Sequence, residues 1–177
     1  MLRKKAKASP IQKTGKAAAS KALPHPKIRV SFIQTNASRK NYKLVAKTKE
    51  LLKHSAELVI QAEHKTLRSA TLQVIALGDE EMLEMNQRML GHDWYTDIMT
   101  FGLEQTASEL TAEIYVSTDR AKENAAHYKN SVEQELARLV IHGLLHLAGY
   151  DDHDPNAKKQ MRRKERFFLV KSGMQKK

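Results

Sequence analysis

Apolar residues recur along this chain in two rhythms, and the switches between them mark the expected elements. Residues 28–33, Ile28-Arg29-Val30-Ser31-Phe32-Ile33, alternate and are rich in β-formers, which predicts a first strand. Between residues 43 and 63, Leu44, Val45, Leu51, Leu52, Ala56, Leu58, Val59 and Ile60 predict a helix with a core-facing stripe and a Lys-rich outer side. Residues 72–77 read as a mostly apolar strand that ends at Gly78. Asp79 is the expected cap of a short helix over 80–89, whose early acids suit the helix dipole. Met82, Leu83, Met85 and Met89 on it are expected core residues rather than thioether ligands. After a polar-aromatic loop at 91–95, residues 96–101 and 111–117 read as the third and fourth strands. In the fourth, Glu113, Tyr115 and Ser117 share one face while Ile114 and Val116 take the other.

The second half of the chain turns helical. Thr118 or Asp119 is expected to cap a helix running through Tyr128. Ser131, with Gln134 three residues on, forms a capping box for a helix whose core stripe is Leu136, Leu139, Val140, Gly143, Leu144 and Leu147. Asp154-Pro155 supplies the cap and first turn of a final helix to about Lys171, packed through Met161, Phe168 and Leu169. Four strands with helices clustered around them predict an α+β domain over residues 27–177, with the strand order left open.

The chemistry concentrates in residues 142–154. His142 and His146, four apart on a helix, project from one face just beside the core stripe, close enough to share a metal ion. Gly149 can take the left-handed conformation that ends such a helix. The chain then turns at once into Asp151, Asp152, His153 and Asp154, which offers a third ligand. Two imidazoles with one further nitrogen or carboxylate oxygen suit Zn²⁺ better than Mg²⁺ or Ca²⁺. A zinc protease of the HExxH class carries its general base directly after the first His, and that position here is Gly143, so a peptidase is a minor reading.

Charge narrows the substrate. The net charge is +11 over 177 residues, which implies an acidic partner, nucleic acid before membrane. Most of the excess sits in residues 1–26, where Arg3, Lys4, Lys5, Lys7, Lys13, Lys16 and Lys21 stand without an acid among Ala, Ser and Pro, and disorder is expected there. With no Cys, thiolate sites, cysteine nucleophiles and disulfides are excluded, and a reducing compartment fits. No apolar run approaches the roughly 20 residues that span a bilayer. The final helix carries Lys158, Lys159, Arg162, Arg163, Lys164 and Arg166, a face suited to phosphate contact.

From about residue 28 to 171 the chain resembles the YbeY endoribonucleases, also called rRNA maturation factors. The resemblance rests on His142-Gly-Leu-Leu-His-Leu-Ala-Gly-Tyr-Asp151, on Tyr95-Thr-Asp-Ile-Met-Thr-Phe101, and on Glu113-Ile-Tyr-Val-Ser117 with Asp119-Arg120. It implies a zincin-like metallohydrolase fold and a zinc-dependent, single-strand-specific endoribonuclease. The implied work is maturation of the 3′ end of small-subunit ribosomal RNA and ribosome quality control in the cytoplasm, with the small ribosomal subunit and an Era-like GTPase as partners. Two departures stand out. The family's third histidine falls on Asp152, with His153 one residue later, so both are candidate ligands beside His142 and His146. The family's usual basic residue falls on Leu90, and Arg88 is the candidate replacement. Asp97 and Glu113 are candidate proton-transfer groups, with whichever of Asp152 and His153 leaves the metal free. A ribosome-assembly factor with a structural metal, or a non-RNA metallohydrolase, are the alternatives.

Overall fold

The two rhythms resolve into a four-stranded mixed sheet and six helices in a computed structural model that describes residues 25–174. The strands are β1 (Lys27–Gln34), β2 (Ser69–Leu77), β3 (Ile98–Gln105) and β4 (Glu109–Ser117), in the order β1-β2-β4-β3. Two helices, α1 (Asn36–Asn41) and α2 (Ala46–Glu63), lie between β1 and β2 in sequence, and a connection of that length lets the two strands pair parallel. The pairing sets Ile28 opposite Ala70, Val30 opposite Leu72 and Phe32 opposite Val74. β2 is also parallel to β4, whereas β3 folds back on β4 as an antiparallel edge strand, with a register shift between Gly102 and Glu104. The expectation for the basic residues 1–26 lies, except for His25 and Pro26, outside the described residues.

Each sheet face is buried by different helices. The remaining helices are α3 (Asp79–Leu90), α4 (Thr118–Tyr128), α5 (Val132–Leu147) and α6 (Pro155–Lys171). Leu52, Val59 and Ile60 of α2, Leu139 and Leu144 of α5, and Met161 and Phe168 of α6 form one core with Leu72, Val74, Ala112 and Ile114 of the sheet. On the other face Met82 of α3 packs with Ile75, Leu77 and Met99, flanked by Met85, Phe101 and Tyr115. Met82 is thus core as expected, but Met89, at the helix end, is exposed. No helix among the described residues is long and apolar enough to cross a membrane.

Local details depart from the sequence expectations where tertiary partners intervene. Helix α1 was not foreseen because its six residues, all polar but Ala37, carry no apolar repeat; Thr35 caps it by accepting from the Ser38 amide. Gly78, not Asp79, is the cap of α3, and the Glu81 carboxylate satisfies the Gly78 amide at 2.8 Å. Asp79 instead accepts from the Ser117 hydroxyl at 2.5 Å and pairs with Arg120 at 2.9 Å, tying α3 to α4. Ser117 rather than Thr118 or Asp119 caps α4, accepting from the Arg120 amide.

Candidate metal centre

Helix α5 is fixed at both ends before it presents any chemistry. Ser131 and Gln134 close the expected capping box, with Ser131 Oγ accepting from the Gln134 amide and Gln134 Oε1 accepting from the Ser131 amide. At the other end Gly149 takes φ +88°, and the Tyr150 amide returns to the Leu145 carbonyl. Between them α5 presses so closely on the sheet that a Cβ at Gly143 would sit 2.5 Å from Thr100 Oγ1 and 3.1 Å from Ile98 Cδ1. The position after the first histidine therefore has no room for the glutamate of an HExxH protease. Gly143→Ala is expected to cost about 1–3 kcal/mol through overpacking, read as a lower midpoint in chemical denaturation; an unchanged midpoint would mean that Thr100 swings aside freely.

The two histidines are oriented from behind. His142 Nδ1 lies 2.6 Å from Glu165 Oε1 on α6, and His146 Nδ1 lies 3.0 Å from the Tyr150 carbonyl oxygen. Both partners can accept a proton and neither carbonyl nor carboxylate can donate one, so each neutral imidazole is assigned its proton on Nδ1. Their Nε2 lone pairs then face each other 3.0 Å apart, the rings nearly perpendicular. Such an arrangement calls for a shared cation. Two zinc–nitrogen bonds meeting at the tetrahedral angle would set the nitrogens about 3.4 Å apart, close to what the side chains already adopt.

Of the two candidates for a third ligand, the structure brings Asp152 to the pair. Its Oδ1 is 3.9 Å from His146 Nε2, and one ligand atom from each of His142, His146 and Asp152 falls within a 4.8 Å group. His153 turns away: its side chain is 90% exposed and its Nε2 lies 3.4 Å from Asp151 Oδ1. The loop that decides this is braced by Tyr150, whose hydroxyl donates to Glu63 at 2.7 Å beneath the Lys164 ammonium. Burial raises the Glu63 carboxyl, but hydrogen bonds from Lys164 and Tyr150 outweigh it and hold the group below the ordinary carboxylate range. Asp154 then caps α6 by accepting from the Asn156 and Ala157 amides.

One turn before His142, Arg138 gathers three carboxylates. It donates to Glu135 Oε1 at 2.7 and 3.0 Å, and lies 3.4 Å from Asp97 Oδ2 and 3.7 Å from Glu165 Oε1. Burial alone would lower the proton affinity of this guanidinium; Glu135, Glu165 and Asp97 more than reverse that. Asp97, just ahead of β3, also accepts from Asn124 at 3.2 Å, so it joins the histidines indirectly, through Arg138 and Glu165.

The other two proton-transfer or phosphate candidates lie elsewhere. Glu113 belongs to the face of β4 that α3 covers, where it pairs across to Phe101 and accepts from the Tyr115 hydroxyl at 2.6 Å. Burial, then that bond to Glu113, pushes the Tyr115 hydroxyl up to about 12. Arg88, near the end of α3, is exposed and feels Tyr115 across the same face. The sheet thus separates Glu113 and Arg88 from the face that α5 covers, and the structure does not bring them to the histidines. Sequence reasoning in turn missed Glu165 and Arg138. The available signal was Glu165 itself, the one acid of α6, placed four residues after core residue Met161 and three before core residue Phe168.

Comparison with known proteins bears on the same residues. A family model described as Endoribonuclease YbeY matches residues 32–173. The chain is 44% identical over 94 residues to Endoribonuclease YbeY of Cytophaga hutchinsonii, covering 53% of this chain and 66% of that relative. It is 38% identical over 125 residues to Endoribonuclease YbeY of Thermotoga neapolitana, covering 70% of this chain and 81% of that relative. A solution structure of a Thermotoga maritima protein is similar at a TM-score of 0.54 and 31% identity, covering 82% of this chain and 88% of that one.

Proposed function

Since the chain belongs to the Endoribonuclease YbeY family, we propose that it is a zinc-dependent endoribonuclease acting on single-stranded RNA during ribosomal RNA processing. The observation that carries the zinc reading is the pair of Nε2 atoms held 3.0 Å apart with both Nδ1 atoms committed, and Asp152 alongside. His142 and His146 would hold the ion through Nε2 and Asp152 through a carboxylate oxygen. Bound there, zinc supplies Lewis acidity, polarising a phosphoryl oxygen and making water a stronger acid. A set of three protein ligands would suit a catalytic rather than a closed structural ion. The zincin-like reading of the fold rests on α5, with its two histidines, packed along the antiparallel edge strand β3.

The chain's own residues provide the rest. Lys158, Lys159, Arg162, Arg163 and Arg166 stand exposed on α6 around Glu165, and give salt-dependent, sequence-tolerant attachment to the RNA backbone. The proposal extends to the 3′ end of small-subunit ribosomal RNA as substrate, to ribosome quality control, and to a cytoplasmic setting with the small ribosomal subunit and an Era-like GTPase as partners. Asp152 is the third ligand in this reading, His153 is not a ligand, and Asp97 acts on the centre through Arg138.

The test is cleavage by the zinc-loaded full chain of a single-stranded RNA and of the same sequence annealed into a duplex. Cutting of the single strand alone is expected. Asp152→Ala should weaken zinc binding and slow cleavage, while His153→Ala stays near wild type. No cleavage of either RNA by the loaded protein would favour an assembly factor with a structural metal. Loss of zinc in His153→Ala but not in Asp152→Ala would reassign the third ligand.

A further inference from the structure

Helix α6 presents a puzzle of composition. It is rich in lysine and arginine, those side chains are mostly exposed, and its single acid, Glu165, is 7% exposed within the row that also buries Met161 and Phe168. A carboxylate at a core position is costly unless it is paired and hydrogen-bonded. Among the described residues Glu165 pairs with Arg138 and His142, and the distances differ. Arg138 lies at 3.7 Å, an ion pair without a hydrogen bond, whereas His142 Nδ1 lies at 2.6 Å, a short and direct one. The closer contact is to the metal-binding imidazole.

We propose that Glu165 is the positioning residue of the metal centre: its carboxylate, held in place beside Arg138, engages His142 through Nδ1 and leaves Nε2 turned toward the ion. The inference rests on the reading of His142 as a metal ligand. An imidazole ring can rotate about its bond to Cβ and can carry its proton on either nitrogen, and either change would withdraw Nε2 from the site. A carboxylate accepting from Nδ1–H blocks both and makes the imidazole a stronger donor through Nε2. His146 is held by a backbone carbonyl instead, and that carbonyl is set by the Gly149 turn. The two ligands are therefore oriented by unlike means: one by local chain geometry, the other by a side chain 23 residues later in the sequence. Arg138, four residues before His142 on α5, joins the same carboxylate, so the packing of α6 on α5 sets ligand orientation and charge together.

The experiment measures Zn²⁺ affinity of the full chain by competition with a chromogenic chelator, for wild type, His142→Ala, Glu165→Gln and Glu165→Ala. Nitrogen-15 NMR of the imidazoles in the loaded proteins gives the protonated nitrogen of His142. Glu165→Ala is expected to weaken zinc binding about 10–100-fold. Glu165→Gln should recover part of that loss, because the amide oxygen accepts the same hydrogen bond without the charge. The wild-type spectrum should show His142 protonated on Nδ1. A carboxylate that merely pairs with Arg138 would lower thermal stability when removed but leave affinity and protonation pattern alone, and that result overturns the proposal. Should Glu165→Ala fail to fold, the near-isosteric Glu165→Gln still decides: unchanged affinity and an unchanged His142 spectrum overturn it. If His142→Ala binds zinc like wild type, the metal reading itself fails, and this inference with it.

Discussion

Replacing His142 or His146 with alanine is expected to abolish tight zinc binding and to cut cleavage of single-stranded RNA by about a thousandfold or more, since the proposed hydrolytic chemistry depends on a bound ion. In the proposed ligand set each substitution would leave two donors of three, one of them Asp152, a half-buried loop side chain that would not hold an ion alone. The fold should survive. Both imidazoles sit beside the core stripe of α5 rather than within it, and its large fully buried apolar residues are Leu136, Leu139, Val140, Ile141, Leu144 and Leu145. Thermal unfolding of the metal-free proteins should thus be close to wild type, while zinc should stabilise wild type and not the variants, as ligand linkage requires. The measurement is a cleavage time course on purified proteins, with zinc content determined on the same samples. Equal cleavage by wild type and both variants would trace the activity to a contaminating nuclease and remove the enzymatic reading.

Arg138→Met should have the largest effect on stability. Arg138 is 26% exposed at the side chain, but its main partner, Glu135, is at 1%, and Glu135 Oε2 has no hydrogen-bond partner among the described residues. Methionine keeps the volume of the side-chain stem and removes the charge. That strands Glu135 in the interior with Glu165 and Asp97 nearby, and breaking a buried pair from one side costs about 3 kcal/mol at the lower end of the usual range. For a chain of this size the corresponding fall in Tm is on the order of 10 °C. Adding Glu135→Gln to Arg138→Met should restore part of the loss, because the stranded charge rather than the missing contact dominates it. A Tm within a few degrees of wild type for Arg138→Met would mean that water already screens these carboxylates, and the network would then carry little of the stability.

Helix α5 shows how far a one-dimensional reading extends. The pairing of His142 with His146, the Ser131–Gln134 box, the Gly149 stop and the Asp154-Pro155 start are all set by residues within four positions of each other. Helix geometry converts such spacings directly into proximity. The caps at Gly78 and Ser117, where Asp79 and Thr118 or Asp119 were expected, mark where this fails: Asp79 had the right chemistry to cap α3, but Ser117 and Arg120, some 40 residues on, engage its carboxylate instead. Glu113 was correctly placed on one face with Tyr115, yet nothing in an alternating strand says which helix will cover that face. It fell under α3, and α5 took the other.

The sequence by itself determined that this is an α+β domain built around a two-histidine helix, because periodicity, capping and i, i+4 spacing are local and additive. It also excluded the glutamate of a zinc protease, and the reason emerged only in three dimensions: Gly143 is where α5 touches Thr100 and Ile98. Tertiary structure alone set Asp152, and not His153, beside the histidine pair. The two are neighbours in the chain, and the Tyr150 brace on Glu63 and Lys164, with the return into α6, sets which one points inward. It likewise brought Glu165 behind His142 and Arg138 against Asp97. Those contacts span 23 and 41 residues, and they exist because α6 packs on α5 and α5 packs on β3. A spacing in the sequence can nominate a ligand, but its orientation belongs to whatever packs behind it.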